Sequence, residues 1–157
     1  MASQKKQSSQ TFGLSGKVHV AIGEKLSEEF ALRLSERFPH AVKRNVSFGS
    51  SFADVVLEIP GRVVVAEFKT GDPELPLPTS TIPQMDLFVK QARNLYPHRE
   101  IVSFVFTNYN VSEPDKEALG KEGVKILNVA SGSIDAIIAD FLQQVQVSPQ
   151  TKAETEA

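Results

Sequence analysis

Residues 52–70, FADVVLEIPGRVVVAEFKT, hold two runs of Val, Ile, Leu and Phe separated by Pro60-Gly61, and no other stretch leaves the chain so few choices. β-Branched and aromatic residues on either side of a turn dipeptide mark a β-hairpin. If Pro60 and Gly61 are the turn residues, Ile59 faces Arg62, and counting back along both strands places Asp54 opposite Glu67. Directly opposed residues have Cβ atoms about 5 Å apart, and Lys69, two residues on, shares the face of Glu67. The other face reads Ala53, Val55, Leu57, Ile59 against Val64, Ala66, Phe68; it is apolar apart from Arg62 at the turn and is expected to be buried. A one-residue slip would reverse the faces. Register is therefore the quantity to check, because Pro-Gly favours type I or II turns whereas tight hairpins favour the primed types.

Two carboxylates side by side on a strand pair repel, and here the neighbouring positions, Val56, Val63 and Val65, are apolar. A divalent cation is the simplest compensation, since Mg²⁺ prefers oxygen ligands and binds one or two carboxylates together with phosphate. The alternative is a strand-end Asp54 with a solvent-facing Glu67–Lys69 ion pair. Without cysteine the chain has no disulfide, no thiolate metal site and no thiol nucleophile. His19, His40 and His98 show no common metal spacing.

The 157 residues suit one domain with a substantial core. Polar residues 1–11 and 146–157 are expected to be disordered tails around a single domain at 12–145. Leu26, Phe30 and Leu34 recur every fourth residue, with Ala31 and Leu32 assigned to the same stripe, so 23–38 is expected to be helical; the helix extends back to Ser15 if KVHVAI is not a strand. A strand AVKRNV leads through SFGSS to the hairpin, and the proline-rich GDPELPLPTSTIP is expected to be a loop passing the site. Helix 83–95, strand IVSFVFTN, a short helix 114–120, strand VKILNV and helix 133–145 complete the order α-β-β-β-α-β-α-β-α, an α/β fold with a sheet covered by helices.

A net charge of −2 and a pI near 5.9 weigh against a nucleic-acid partner unless a local basic patch replaces global charge. Candidates are Lys43, Arg44, Lys69, Lys90 and Arg93. The absence of a membrane-span-length apolar run and of a signal-like N-terminus makes a cytoplasmic location the expectation.

An Asp in one strand, a short hairpin and Glu-x-Lys ending the next, here FADVVLEI and VVVAEFKTG, resembles the PD-(D/E)XK nuclease superfamily. The resemblance extends over most of the chain outside the tails, with a Glu-bearing helix before the hairpin and a Gln-bearing helix after it, as in archaeal Holliday-junction resolvases. Ala53 stands where the motif name has Pro. The resemblance implies a restriction-endonuclease-like core, with a mixed central sheet flanked by helices in αβββαβ order. It implies a Mg²⁺ site, with Mn²⁺ substituting, held by Asp54, Glu67 and the Phe68 carbonyl, and by Glu28 through water, with Glu29 and Glu24 as alternatives to Glu28. Lys69 would orient or polarise the attacking water and offset charge on the phosphate; an electrostatic role is favoured over a general base. Gln84, or Gln91 on the same helix face, would complete the site, and Ser47, Ser50 and Ser51 around Gly49 match a serine-bearing segment of the resolvases. Ser50 and Ser51 would join the basic residues in contacting DNA. The implied function is a structure-selective DNA endonuclease, acting as a homodimer on junctions. Alternatives are a repair or restriction-like nuclease on linear or single-stranded DNA, and a degenerate member that binds without cutting.

Overall fold

A computed structural model describes residues 12–49, 51–129 and 133–146, excluding the side chains of residues 12–24 and of Gln146. The elements are α1 (Phe12–Arg37), β1 (Val42–Phe48), β2 (Ser51–Ile59), β3 (Arg62–Lys69), α2 (Thr81–Leu95), β4 (Glu100–Thr107), α3 (Glu113–Lys121), β5 (Val124–Asn128) and α4 (Ile134–Gln146). This is the order read from the sequence, and KVHVAI belongs to α1. The expected tails lie outside the described residues, except that Gln146 closes α4.

The strands form one sheet in chain order, antiparallel across β1, β2 and β3 and parallel across β3, β4 and β5. β3 is central, and seven of its eight residues are buried, because a strand covered on both faces needs a near-continuous apolar run rather than alternation. The hairpin register is the expected one: Ile59 pairs with Arg62, Leu57 with Val64 and Val55 with Ala66. Gly61 has φ +78°, the left-handed value that the second residue of a type II turn requires. The turn type thus follows Pro-Gly chemistry without shifting the strands.

α1 and α4 cover one face of the sheet. Phe30, Ala31 and Leu34 of α1 and Phe141 of α4 pack there on Val55, Leu57, Val64, Ala66, Phe68, Phe104 and Phe106. Phe30 stands edge-on to Phe68, Phe106 and Phe141 at centroid separations of 5.0 to 5.4 Å, and Phe68 stacks on Phe106 at 4.6 Å. Arg33 of α1 pairs with Asp135 of α4. Leu32 does not share the buried stripe and is 61% exposed; at 100° per residue it points away from the line through Leu26, Phe30 and Leu34. On the other face Met85, Phe88, Val89 and Ala92 of α2 and Leu119 of α3 cover Val56, Val63, Val65 and Val105. α3 is capped by the Ser112 hydroxyl, which accepts from the Asp115 N–H, with Glu113 and Asp115 in its first turn.

One departure from the hairpin reading sits beside the carboxylates. Ala53 packs on the α2 side with Phe48, whereas Val55 packs on the α1 side. The β1–β2 ladder skips Asn45 and Asp54, and Asn45 has φ +53°. A left-handed residue breaks the two-residue alternation, so both strands exchange faces at this point. Phe30→Ala, which empties the centre of the aromatic cluster, is expected to cost about 3–5 kcal/mol of unfolding free energy, measured by urea denaturation.

Candidate active site

The face exchange opens the hairpin where the carboxylates lie. Val55–Ala66 is the last backbone pair between β2 and β3. A continued register would set Phe68 against Ala53; instead, the Phe68 N–H donates to the Asp54 carboxylate at 2.9 Å. The Asp54 N–H in turn donates to Glu67 Oε1 at 3.3 Å. A side chain thus replaces a backbone rung. Because the Phe68 ring is held in the α1 and α4 core, Glu67 and Lys69 emerge on the α2 face, where Lys69 Nζ lies 3.7 Å from Glu67 Oε2. Gln84 in the first turn of α2 donates its amide to the same oxygen at 3.3 Å.

Glu67 is only 6% exposed, and burial together with the neighbouring Asp54 charge pushes its carboxyl up to about 8, against the opposing pull of Lys69. Burial raises Asp54 as well, opposed by the Phe68 N–H, Lys69 and Arg44. The two carboxyls act on each other, and both are raised. Two desolvated carboxylates that cannot comfortably both ionise suit a divalent cation, whose charge removes their repulsion.

The structure brings Asp54, Glu67, Lys69 and Gln84 together, with Arg44 acting on Asp54 through its charge. Glu28 and Glu29 are exposed on α1, and among the described residues no third carboxylate or imidazole joins Asp54 and Glu67 in one cluster. The Glu24 side chain and Ser50 lie outside the described residues. Ser51 opens β2 with its hydroxyl buried, and Ser47 donates to the Gly49 carbonyl at 3.5 Å. Gln91 rests against Gly49, where an added Cβ would come within 2.8 Å of its amide nitrogen. Lys43 pairs with Glu58, two residues before the turn, and Lys90 pairs with Asp86 along α2. The basic residues are therefore not gathered into one patch around the carboxylates. His40 and His98 are exposed.

Sequence reading passed over Asn45, and over Asn108, Tyr109 and Asn110 at the end of β4. The Asn108 side chain accepts from the Gly71 N–H at 2.9 Å and donates to its carbonyl at 2.8 Å. The backbone of Asn110 bonds to Leu75 and Leu77, which secures the proline-rich loop past the site. The available signal was a polar and aromatic run just beyond a sheet strand, where open α/β sheets bind ligands.

No protein-family model matches the chain, and no curated protein matches it. Among solved structures, protein VC1899 from Vibrio cholerae is similar with a TM-score of 0.55 at 12% identity, over 77% of this chain and 32% of that one. A repair endonuclease from Pyrococcus abyssi is similar with a TM-score of 0.48 at 19% identity, over 67% of this chain and 47% of that one. The MspJI restriction endonuclease, in complex with a 27-mer oligonucleotide, has a TM-score of 0.41 at 14% identity, over 76% of this chain and 31% of that one. The fold is a mixed five-stranded sheet flanked by helices, shared with VC1899. At 12% identity the likeness to VC1899 is one of fold, and the chain spans less than half the length of each of these three structures.

The raised Glu67 carboxyl has a consequence for stability. Between its ordinary value of 4.5 and about 8 the folded protein holds a proton that the unfolded chain has released. Its contribution is then complete below 4.5 and is lost as pH rises to about 8. In EDTA the melting temperature is expected to fall across this window, and Glu67→Gln is expected to flatten the fall.

Proposed function

We propose that the chain is a metal-dependent DNA endonuclease that hydrolyses phosphodiester bonds at the Asp54–Glu67–Lys69 cluster. The observation that carries this reading is the buried Glu67 carboxylate beside the half-buried Asp54, whose backbone N–H donates to it, with an ammonium 3.7 Å away. Asp54 and Glu67, with the Phe68 carbonyl, would hold Mg²⁺ or Mn²⁺; Glu28, exposed on α1 across the sheet, stands outside this set. When bound, such an ion supplies Lewis-acid stabilisation of the phosphate and a more acidic water.

The chain's own groups do the rest. The Phe68 N–H fixes the Asp54 carboxylate, and Gln84 fixes Glu67. Lys69 offsets negative charge as it develops on the phosphate, and Arg44 adds positive charge on the Asp54 side. The dry floor formed by Val56, Val63 and Val65 keeps these electrostatic effects strong. Structure-selective cutting by a homodimer is the form of the reading we favour, since a two-fold assembly presents two such clusters to two strands.

The test is cleavage of a four-way junction, a flap, a linear duplex and a single strand with Mg²⁺ or Mn²⁺ and with EDTA. Metal-dependent cutting that Asp54→Ala abolishes is expected, with the branched substrates preferred. Lys69→Ala is expected to lose about 10²–10³-fold in rate. Metal-independent cutting, or activity that survives Asp54→Ala, would sink the mechanism.

Two further outcomes separate binding from turnover. Saturating Mn²⁺ is expected to raise the melting temperature of the wild type but not of Asp54→Ala. Gln84→Ala, which removes a group that orients Glu67, is expected to weaken metal affinity or activity about 10–100-fold.

A further inference from the structure

Beside the carboxylate cluster lies a cavity of about 570 Å³ whose walls include Tyr109, Asn110, Pro73, Lys116, Ile126 and Asn128. It falls within the roughly 300–1,000 Å³ range of sites for small organic groups. Its position follows from the sheet. Lys69 pairs with Thr107, and Thr107 with Asn128, so the cavity opens at the ends of the parallel strands next to β3. Two strand spacings, roughly 10 Å, separate Lys69 from Asn128, which is on the scale of one nucleotide.

The lining is neither a phosphate site nor an apolar slot. It combines an aromatic ring, a proline, a branched aliphatic and neutral amides, and none of its residues is acidic although the chain carries a net charge of −2. An aromatic ring beside amide donors and acceptors is the chemistry that recognises an unstacked base, by its face and by its edge. Lys116, which Glu113 also holds at 3.3 Å, places a cation at the wall.

The walls are also held in place. Asn108 clamps Gly71 through both of its polar atoms, and Asn110 is bonded to Leu75 and Leu77. Gly71 lies so close to the Tyr109 ring that an added Cβ would stand 1.9 Å from its hydroxyl.

We propose that this cavity receives one unstacked nucleobase of the DNA strand, next to the phosphodiester that is cut. The inference rests on the nuclease reading and makes it more specific: the substrate presents an unpaired nucleotide beside the cleaved bond, as a flap, a branch point or a single strand does. Inside a duplex that base would first have to be extruded.

Tyrosine fluorescence gives a direct test, because the chain has two tyrosines and no tryptophan. Tyr96 bonds to Glu58 at 2.9 Å near the Pro60-Gly61 turn, and Tyr96→Phe leaves Tyr109 as the reporter. Titrating this variant with a single-stranded DNA octamer, in EDTA and low salt, is expected to quench the emission saturably. The same octamer made abasic throughout is expected to bind about 10- to 100-fold more weakly.

Anisotropy of labelled octamers extends the test to other variants. Tyr109→Ala and Asn110→Ala are each expected to reduce the preference for the base-bearing strand, and Tyr109→Phe, which keeps the ring, to retain most of it. Absence of quenching, equal affinity for the two octamers, or a preference that survives both alanine changes overturns the assignment. A base preference without metal-dependent cleavage would keep the cavity's role and overturn the nuclease reading. Cleavage by a protein indifferent to bases would do the reverse.

Discussion

The site depends on the way β3 is held between two cores. Its residues alternate between faces with a period of two, and Phe68 is fixed on one side by Phe30 and Phe106. With that ring pinned, Glu67 and Lys69 have no alternative but the α2 face. The same anchoring positions the Phe68 N–H, which sets the Asp54 carboxylate. Packing energy on one side of the sheet is thereby converted into geometry on the other, and a loosened aromatic cluster would blur the carboxylate pair without touching it.

Burial and charge act against each other at this point, and the conflict is informative. A fold seeking stability alone would not set Asp54 and Glu67 together at the end of a strip of valines. Hydrogen bonds from the Phe68 N–H and Gln84 and the charges of Lys69 and Arg44 offset part of the desolvation, yet both carboxyls stay raised. A pair shifted in this way by burial and a neighbouring charge is the arrangement that the proposed cation site draws on. The local cost is tolerable because the aromatic core and the valine-rich face supply the stability elsewhere.

The surroundings of the site are stiff where they need to be. Gln91 closes on Gly49, and Asn108 and Asn110 secure the proline-rich loop. These contacts join the β1–β2 turn, α2 and the loops after β3 and β4 into one frame around the carboxylates. Groups held by such a frame are fixed before any ligand arrives.

Much of this was legible in the order of residues. The element order, the hairpin and its register follow from hydrophobic period, proline placement and the Pro-Gly turn, all of which are local. The proximity of Asp54, Glu67 and Lys69 follows as well, because a hairpin is the one tertiary contact that counting along the chain can set. Ala53 was misplaced and Leu32 was wrongly assigned to the stripe, the first because Asn45 leaves the regular conformation and the second because an apolar residue was counted without its angle. Gln84 stood as one of two candidates until the docking of α2 showed which amide reaches Glu67. The separation of Lys43 and Lys90 from the carboxylates, the burial that raises Glu67 and the cavity at Tyr109 all depend on elements far apart in the chain. Sequence alone determined the hairpin and the chemical identity of its triad, since local period and turn chemistry suffice for both. Only the tertiary structure decided what surrounds that triad, because desolvation and long-range packing exist only once the helices have closed over the sheet.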